Sequence, residues 1–230
     1  MKVEVLRGVI GGYDDIVPLK VEFKFNSIQI TNQKDADKFL GKPPIDDNKK
    51  NRLVSRSVKF SEFTTDSDIR IWVDGNIEMP NLNVLLKEFI HSNALIALAE
   101  HPERISLKDE LKACLIHSKI NLKEYFNIKS FLALKEDNLN NLCQSGVMIR
   151  RKSKELDLVF NSLLELLSNH APRDQIFVRA ILNDFNIPTM LYSLEEYPIN
   201  ISSHKVSFIY KAKKKIVFYL YSFIFKIKLL

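Results

Sequence analysis

The sequence is poor in cysteine and glycine, and it lacks several short motifs that carry known chemistry. Its 230 residues include only two cysteines and six glycines. Two cysteines are too few for a disulfide scaffold or a cysteine-rich zinc site. The chain also has no Walker-type loop, no Gly-x-Gly-x-x-Gly motif, no His-x-x-x-His pair and no internal repeat. None of these nucleotide- or metal-binding signatures can therefore be used to assign a function.

Long apolar segments are also absent. The apolar run at 216–225 is shorter than the roughly 20 residues that a membrane-spanning helix needs. Met1–Glu4 leads into a strand-like pattern without the apolar core or cleavage site of a signal peptide. The sequence therefore predicts a cytoplasmic location. Its 46% hydrophobic and 27% charged residues are typical of a globular protein, and its length allows one sizeable α/β domain.

The net charge of +6 is concentrated in one terminal segment. From Lys205 to Leu230 there are seven lysines and no acidic residue. When those seven are left out, the 34 basic residues fall to 27 against 28 acidic ones, so the rest of the chain is almost neutral. A protein that follows a phosphate backbone needs its basic residues on the folded face that meets it. The charge distribution therefore predicts no nucleic-acid partner.

One stretch has the pattern of a central strand followed by a polar turn. Ile69–Val73 is almost continuously apolar and leads into Asp74-Gly75-Asn76. A run of this kind is typical of a strand buried on both faces, and ligands of open α/β sheets bind at the carboxyl ends of such strands. Asp74 and Asn76 offer the oxygen ligands that Mg²⁺ or Mn²⁺ prefers. The alternative is an ordinary turn in which Asp74 or Asn76 caps the next helix, and the local pattern alone favours it.

Three further polar segments are candidate binding sites, two of them after predicted strands and one at the start of a predicted helix. The predicted strand at 3–10 ends in Gly11-Gly12-Tyr13-Asp14, where backbone amides could cradle a phosphate or nucleoside. The predicted strand at 94–99 is followed by the polar segment 100–104, which would share the edge of Asp74 if the two strands are parallel. Pro172 opens a predicted helix to about residue 186, and its positive end carries Arg173, Asp174 and Gln175.

A basic helix and several ordinary elements complete the pattern. Residues 51–60 predict a helix in which Arg52, Arg56 and Lys59 share one face, so they either face an anion or are simply solvated. The alternative of a solvated face is favoured without further context. We also predict strands at 21–25, 28–30 and 146–151, a loop at 41–50, and helices at 82–91, 106–118, 122–136 and 153–169.

Taken together, these pieces resemble a glycosyltransferase-like family once catalogued as a domain of unknown function, with members in plants and in bacterial surface-polysaccharide loci. The resemblance spans about Val3 to Leu194. Its features in chain order are Gly11-Gly12-Tyr13-Asp14, Arg56 with Lys59, the turn from Trp72 to Ile77, His101-Pro102-x-Arg104, Glu110 with Cys114, the strand Gly146–Arg151, and Arg173-Asp174-Gln175.

The resemblance implies a GT-A-like α/β domain over residues 1–200, with a mixed, mostly parallel central sheet flanked by helices. It further implies a nucleoside-diphosphate sugar donor, a polysaccharide or lipid-linked glycan acceptor, and a divalent cation, Mn²⁺ or Mg²⁺. The usual Asp-x-Asp motif of GT-A enzymes stands here as Asp74-Gly75-Asn76, which has one fewer charge.

On this basis we predict a role for each candidate residue. Asp174 is predicted to be the catalytic carboxylate near the acceptor hydroxyl or the anomeric carbon, with Arg104 and Glu110 as further catalytic residues. The predicted metal ligands are Asp74, Asn76 and His204. The predicted nucleotide-sugar contacts are Gly11, Gly12, Tyr13, Asp14, Arg56, Lys59, Arg173 and Gln175.

Residues 201–230 form a basic, aromatic tail. Lysines flank its apolar run, a composition typical of a helix lying on an anionic leaflet, so we predict a peripheral position on the inner face of the cytoplasmic membrane. The alternative is a final helix packed on the core or against a partner chain. Two other functions also fit the sequence: a catalytically degenerate GT-A-like binding module, supported by Asn76, and a membrane-docked assembly factor for polysaccharide synthesis.

Overall fold

A computed structural model of the chain describes residues 1–8, 16–19, 24–40, 48–104, 106–133, 142–202 and 208–227. Within these ranges the chain forms eight strands and eight helices. The strands are β1 (Val3–Gly8), β2 (Asn26–Ile30), β3 (Ile69–Asp74), β4 (Ile77–Glu78), β5 (Ile96–Glu100), β6 (Cys143–Arg151), β7 (Thr189–Tyr192) and β8 (Asn200–Ile201). The helices are α1 (Gln33–Leu40), α2 (Asn48–Lys59), α3 (Leu82–His91), α4 (Leu107–Ile116), α5 (Leu122–Ala133), α6 (Lys154–Asn169), α7 (Asp174–Asp184) and α8 (Phe208–Lys226).

Six strands form one mixed sheet in the order β2-β1-β3-β6-β5-β7. Strands β2, β1 and β3 are parallel to one another, and β5 is parallel to β7. Strand β6 is antiparallel to both β3 and β5, so those two strands run in the same direction. Gly8, Asp74 and Glu100, the last residues of β1, β3 and β5, therefore lie along one side of the sheet, here named the carboxyl edge. The α/β class and the mixed, mostly parallel sheet are confirmed.

The sheet separates two apolar cores. Because side chains alternate along a strand, Trp72 and Met148 face the core that α1, α2 and α4–α7 cover, whereas Val73 and Ile149 face the core under α3. Every residue from Ile69 to Val73 is buried. Each large apolar side chain buried this way contributes about 1.5–3 kcal/mol. The prediction of a central strand buried on both faces is confirmed.

Polar side chains mark the ends of several helices. Ser106 Oγ accepts a hydrogen bond from the amide of Asp109 at 3.1 Å, which caps the start of α4. Arg151, at the end of β6, donates to the carbonyl oxygens of Phe89, Ile90 and Ser92, each at 3.0 Å. Phe89 and Ile90 belong to the last turn of α3 and Ser92 follows it, so Arg151 stabilises the end of α3 and attaches it to the sheet.

The opposite edge of the sheet holds a buried pair of arginines. Because β6 is antiparallel, Arg150 lies beside Arg70 of β3, away from Asp74. Arg70 Nε donates to Glu4 Oε1 at 2.5 Å, and Arg150 Nη1 lies 3.4 Å from Asp157 Oδ1. The ring of Phe63 packs against both guanidinium groups, 4.6 Å from Arg70 and 4.7 Å from Arg150. Burial lowers the pKa of Arg150, yet the group stays charged because arginine does not lose its proton in proteins.

Some predicted elements differ from the observed ones. Helix α3 has the predicted bounds, and α4, α5, α6 and α7 begin or end within a few residues of theirs. Helix α2 begins at Asn48, inside the predicted loop, and 41–47 lie outside the described residues. Helix α1, strand β7 and the β4–β8 pair were not predicted, because segments of two to eight residues are too short for a periodic pattern to stand out. None of the helices in the described ranges is long and apolar enough to cross a bilayer.

Candidate active site

Asp74 ends β3 between two glycines of the neighbouring strands. Its Oδ1 accepts a hydrogen bond from the indole nitrogen of Trp72 at 2.7 Å. A Cβ on Gly8 would lie 2.7 Å from Cη2 of Trp72, so a larger residue there would displace the ring. A Cβ on Gly146 would lie 2.7 Å from Cδ1 of Ile77 and 3.6 Å from Asp74 Oδ2. Gly8 therefore leaves the space that the indole occupies, and Gly146 leaves the space that the end of Ile77 occupies beside Asp74.

Arg7 supports the Asp-Gly-Asn turn from the neighbouring strand. Its buried guanidinium donates to the carbonyl oxygens of Asp74 at 3.3 Å, Gly75 at 3.0 Å and Ile77 at 2.8 Å, and also to that of Val17. Burial lowers the pKa of Arg7, and the charge of Asp74 partly opposes this effect. Turn carbonyls that lose contact with water need such donors. Arg7 was not predicted, and the only signal for it was a single cation in a strand whose one other charged residue is Glu4.

The C-terminal part of the chain returns to the same turn. Ser202 N donates to the carbonyl oxygen of Asn76 at 2.9 Å, and Asn76 Nδ2 donates to the carbonyl oxygen of Ser202 at 3.3 Å. Strand β8, which precedes Ser202, pairs with β4 and spans the predicted boundary between residues 200 and 201. His204, a predicted metal ligand, follows two residues later and lies outside the described residues.

Asp174 is the centre of a buried ionic cluster. Its Oδ1 accepts from Arg56 Nε at 2.9 Å, and its Oδ2 accepts from Lys59 Nζ at 2.9 Å and from Ser145 Oγ at 2.6 Å. The exposed fractions of Asp174 and Lys59 are both 1%. Burial alone would raise the pKa of Asp174, but the charges of Arg56 and Lys59 outweigh it and hold the pKa well below its usual range. The carboxylate therefore stays ionised.

At 1% exposure and with three donors already bound, the Asp174 carboxylate is closed to solvent in this structure. Its contacts orient Arg56 and Lys59. Its role as the carboxylate near the acceptor hydroxyl or the anomeric carbon stays a prediction. The sequence placed Asp174 at the start of a helix, but its partners on α2 and β6 are 118, 115 and 29 residues away in the chain.

A second polar cluster surrounds Glu110 on α4. Glu110 Oε2 accepts from Arg104 Nε at 2.6 Å, and Glu110 Oε1 accepts from the thiol of Cys114 at 3.2 Å. Burial, and then the charge of Arg104, lowers the pKa of His101, which lies 3.7 Å from Glu110 Oε2. His101 Nδ1 accepts from the amides of Glu103 and Arg104, and His101 Nε2 lies 3.1 Å from Arg104 Nη2. Burial raises the pKa of Cys114 to about 11, so this thiol is not a nucleophile near neutral pH.

The two clusters meet through neighbouring residues of α7. Arg173, next to Asp174 in sequence, lies close enough to Cys114 for its charge to oppose the rise in the pKa of that thiol, and it donates to Gln175 Oε1 at 3.2 Å. On the other side, Lys59 Nζ lies 5.7 Å from the centroid of the Trp72 ring, whose indole holds Asp74. The predicted residues Asp74, Arg56, Lys59, Asp174, Arg173, Gln175, Glu110 and Arg104 thus belong to one connected set of contacts.

Five of the predicted site residues lie outside the described residues: Gly11, Gly12, Tyr13, Asp14 and His204. Within the ranges that the structure describes, no group of three or more histidine, cysteine, aspartate or glutamate side chains could hold a metal ion. Asp74 is the carboxylate at the turn, and Asn76 provides an amide.

A substitution at Gly8 tests the packing around Asp74. We expect Gly8→Ala to destabilise the protein by about 1–3 kcal/mol, the usual cost of overpacking, because the new methyl group would overlap the rigid indole of Trp72. Gly146→Ala is the matched control, since its methyl group would overlap only the flexible end of Ile77 and would make an ordinary contact with Asp74. Urea unfolding gives both stabilities, and the fluorescence of Trp72, the single tryptophan, reports the ring's environment. Equal losses in the two variants would contradict this description.

Comparisons with known proteins give structural likenesses but no sequence family. No protein-family model matches the chain, and no curated protein matches it significantly. A glycosyltransferase involved in the glycosylation of the major capsid of PBCV-1 is 11% identical, with a TM-score of 0.42 over 84% of this chain and 82% of that one. The bifunctional glycosyltransferase WbbM is 12% identical, with a TM-score of 0.47 over 84% of this chain and 39% of that one. Mouse xyloside xylosyltransferase 1 is 13% identical, with a TM-score of 0.43 over 76% of this chain and 65% of that one.

Proposed function

We propose that this chain is a GT-A-like glycosyltransferase that moves a sugar from a nucleoside-diphosphate sugar to a polysaccharide or lipid-linked glycan acceptor. One observation carries the proposal: the Asp74-Gly75-Asn76 turn ends a central strand and is connected, through Trp72, to a cluster with more cations than anions. Departure of a diphosphate develops negative charge. Fixed cations and donors near that charge stabilise the transition state.

The turn suits a divalent cation that binds together with the diphosphate. Mg²⁺ is commonly held by one or two carboxylates together with substrate phosphates, a requirement that Asp74 and the Asn76 amide meet without a second acidic side chain. His204 is the proposed third protein ligand, and its support is that the chain passes Asn76 at Ser202. A bound Mn²⁺ or Mg²⁺ would supply Lewis-acid stabilisation of the leaving diphosphate.

The charged side chains are proposed to act in two groups. Arg56, 16% exposed and oriented by Asp174, is proposed to face the diphosphate, and the buried Lys59 adds positive charge from beneath. Arg104, 26% exposed and held by Glu110, is proposed to meet the diphosphate or a sugar carboxylate. Asp174 and Glu110 then act as positioning residues, with Arg173 and Gln175 beside them. Gly11, Gly12, Tyr13 and Asp14 are proposed to surround the nucleoside.

Ligand-induced stabilisation tests the donor class. We expect a nucleoside-diphosphate sugar with Mn²⁺ to raise the Tm, because a ligand at 100 times its Kd stabilises the native state by about 2.7 kcal/mol. For a chain of this size that is roughly 5–10 °C. The measurement is a thermal-shift panel of uridine, guanosine, cytidine and thymidine donors, with EDTA as the control. No shift with any donor, with or without the metal, would contradict the proposal.

A binding module without catalysis is the second candidate. Its support is Asn76, which stands where GT-A enzymes usually have a second acid and so reduces the charge that holds a cation. Such a protein would show the thermal shift but would neither hydrolyse the donor nor transfer its sugar.

A membrane-docked assembly factor for polysaccharide synthesis is a third candidate, and it would keep its function after loss of Asp74. We place the protein in the cytoplasm, at the inner face of the cytoplasmic membrane.

A further inference from the structure

Helix α8 is attached to the domain along one side. The ring of Phe218 lies 5.5 Å from that of His117, the residue that follows α4, and the ring of Phe225 lies 5.9 Å from that of Tyr125 on α5. Tyr221 also packs against the core under these helices. These positions recur every three or four residues, so they share one face of α8. The orientation of the helix on the domain is therefore set by these contacts.

The other side of α8 is an exposed apolar stripe. It consists of five large side chains, each 48–69% exposed: Ile216, Tyr219, Leu220, Phe223 and Ile227. Their spacing of three, four or seven residues places them on one helical face. Single exposed apolar residues are common, but a contiguous group of this size on a globular protein marks an interaction surface.

The positive charge beside the stripe favours an anionic partner. Helix α8 has five lysines and no acidic residue. At about 100° per residue, the exposed Lys215 and Lys226 fall on the same flank of the stripe, beside Tyr219. An apolar face bordered by lysines is complementary to an anionic lipid surface. If this face paired with a second copy of the chain, the lysines of the two copies would come together, and their like charges would repel each other.

We infer that α8 docks the domain on an anionic bilayer by inserting the stripe at the level of the headgroups, while its opposite face stays packed on α4 and α5. Both predictions for the tail, a lipid-facing helix and a helix packed on the core, are thereby combined in one element. Helix α4 links the membrane to the candidate active site, since it meets Phe218 at His117 and carries Glu110, which holds Arg104. That this link would bring a lipid-linked acceptor to the site rests on the proposed function. The docking of α8 on the bilayer does not depend on that function.

Vesicle flotation of the full chain tests the docking. We expect the protein to float with vesicles of phosphatidylglycerol and phosphatidylcholine, and much less with phosphatidylcholine alone. Replacing two stripe residues, Leu220→Gln with Phe223→Gln, should lower the partition coefficient at least tenfold, because the apolar area that would enter the lipid is lost. The matched control is Val84→Gln with Leu158→Gln, two residues on α3 and α6 that are also more than half exposed. This control pair should float like the wild type.

A charge variant separates lipid attraction from simple stickiness. Each lysine near an anionic leaflet contributes about 1 kcal/mol, which is roughly fivefold in partitioning. Lys215→Gln with Lys226→Gln should therefore reduce binding to anionic vesicles about 25-fold and leave the weak binding to neutral vesicles unchanged. The Tm of each variant should stay within a few degrees of the wild type, because the substituted side chains are exposed.

Two results would overturn the inference. One is wild-type flotation by the Leu220→Gln, Phe223→Gln variant. The other is a dimer in sedimentation velocity that the same variant abolishes, which would assign the stripe to a second copy. Flotation uses no donor and the thermal-shift panel uses no vesicles, so a failure of the docking and a failure of the glycosyltransferase proposal are distinguishable.

Discussion

Asp174→Ala is expected to destabilise the protein by about 3–5 kcal/mol, the range found when one partner of a buried ion pair is removed. Lys59 would keep its charge at 1% exposure without the carboxylate it now contacts at 2.9 Å. Arg56 and Ser145 would lose the same acceptor. Urea denaturation, followed by the fluorescence of Trp72, measures the loss.

A double substitution is the control for this effect. Lys59→Met with Asp174→Leu removes both buried charges, and apolar replacement of a buried pair is often close to neutral. We therefore expect the double variant to be more stable than Asp174→Ala alone. A loss below about 1 kcal/mol in Asp174→Ala would contradict a buried ionic cluster that supports the fold.

The same cluster predicts how stability depends on pH. The pKa of Asp174 is lower in the folded state than in the unfolded chain, because Arg56 and Lys59 outweigh the effect of burial. The corresponding stability is fully present above the unfolded pKa of about 4 and is lost as the pH falls through the folded value. We expect the Asp174→Ala variant to show a weaker acid dependence than the wild type between pH 7 and pH 3.

Asp74→Ala is expected to abolish metal-dependent donor turnover, with a loss of at least a hundredfold, and to leave the fold intact. Electrostatic stabilisation of a developing charge is worth roughly this much or more per group removed. The structural cost is small, because Asp74 is only partly buried and one hydrogen bond with Trp72 is lost, worth about 0.5–1.5 kcal/mol. Turnover of the donor with Mn²⁺ and the Tm are measured on the same sample.

Two controls separate charge from structure in this experiment. Asp74→Asn keeps an acceptor for the Trp72 indole and removes the negative charge, so it should lose turnover with a smaller change in Tm. Asp66→Ala removes an exposed carboxylate that pairs with Lys2, and it should leave turnover unchanged. Turnover like that of the wild type in Asp74→Ala would remove Asp74 from the metal site.

Local sequence patterns were sufficient for the elements whose burial follows a simple period. The unbroken apolar run at Ile69–Val73 predicted the central strand, and the spacing of Leu82, Leu85, Leu86 and Phe89 predicted α3 with its observed bounds. A strand covered on both faces and a helix covered on one face each leave a distinct trace in sequence. The lysine-rich composition of the C-terminal segment could also be read directly from the sequence. The same is true of the position of Asp74 and Asn76 after a strand.

The partners of these residues depended on contacts between distant parts of the chain. Only the antiparallel direction of β6 placed Ser145 beside Asp174 and moved Arg150 to the far edge of the sheet. Likewise, the packing of Phe218 on His117 divided α8 into a covered face and an exposed one. Local periodicity indicates how much of a side chain is buried, but which charge it meets is set by strand order and helix docking. Those are properties of the whole fold, because their free energy comes from surfaces buried between segments far apart in sequence.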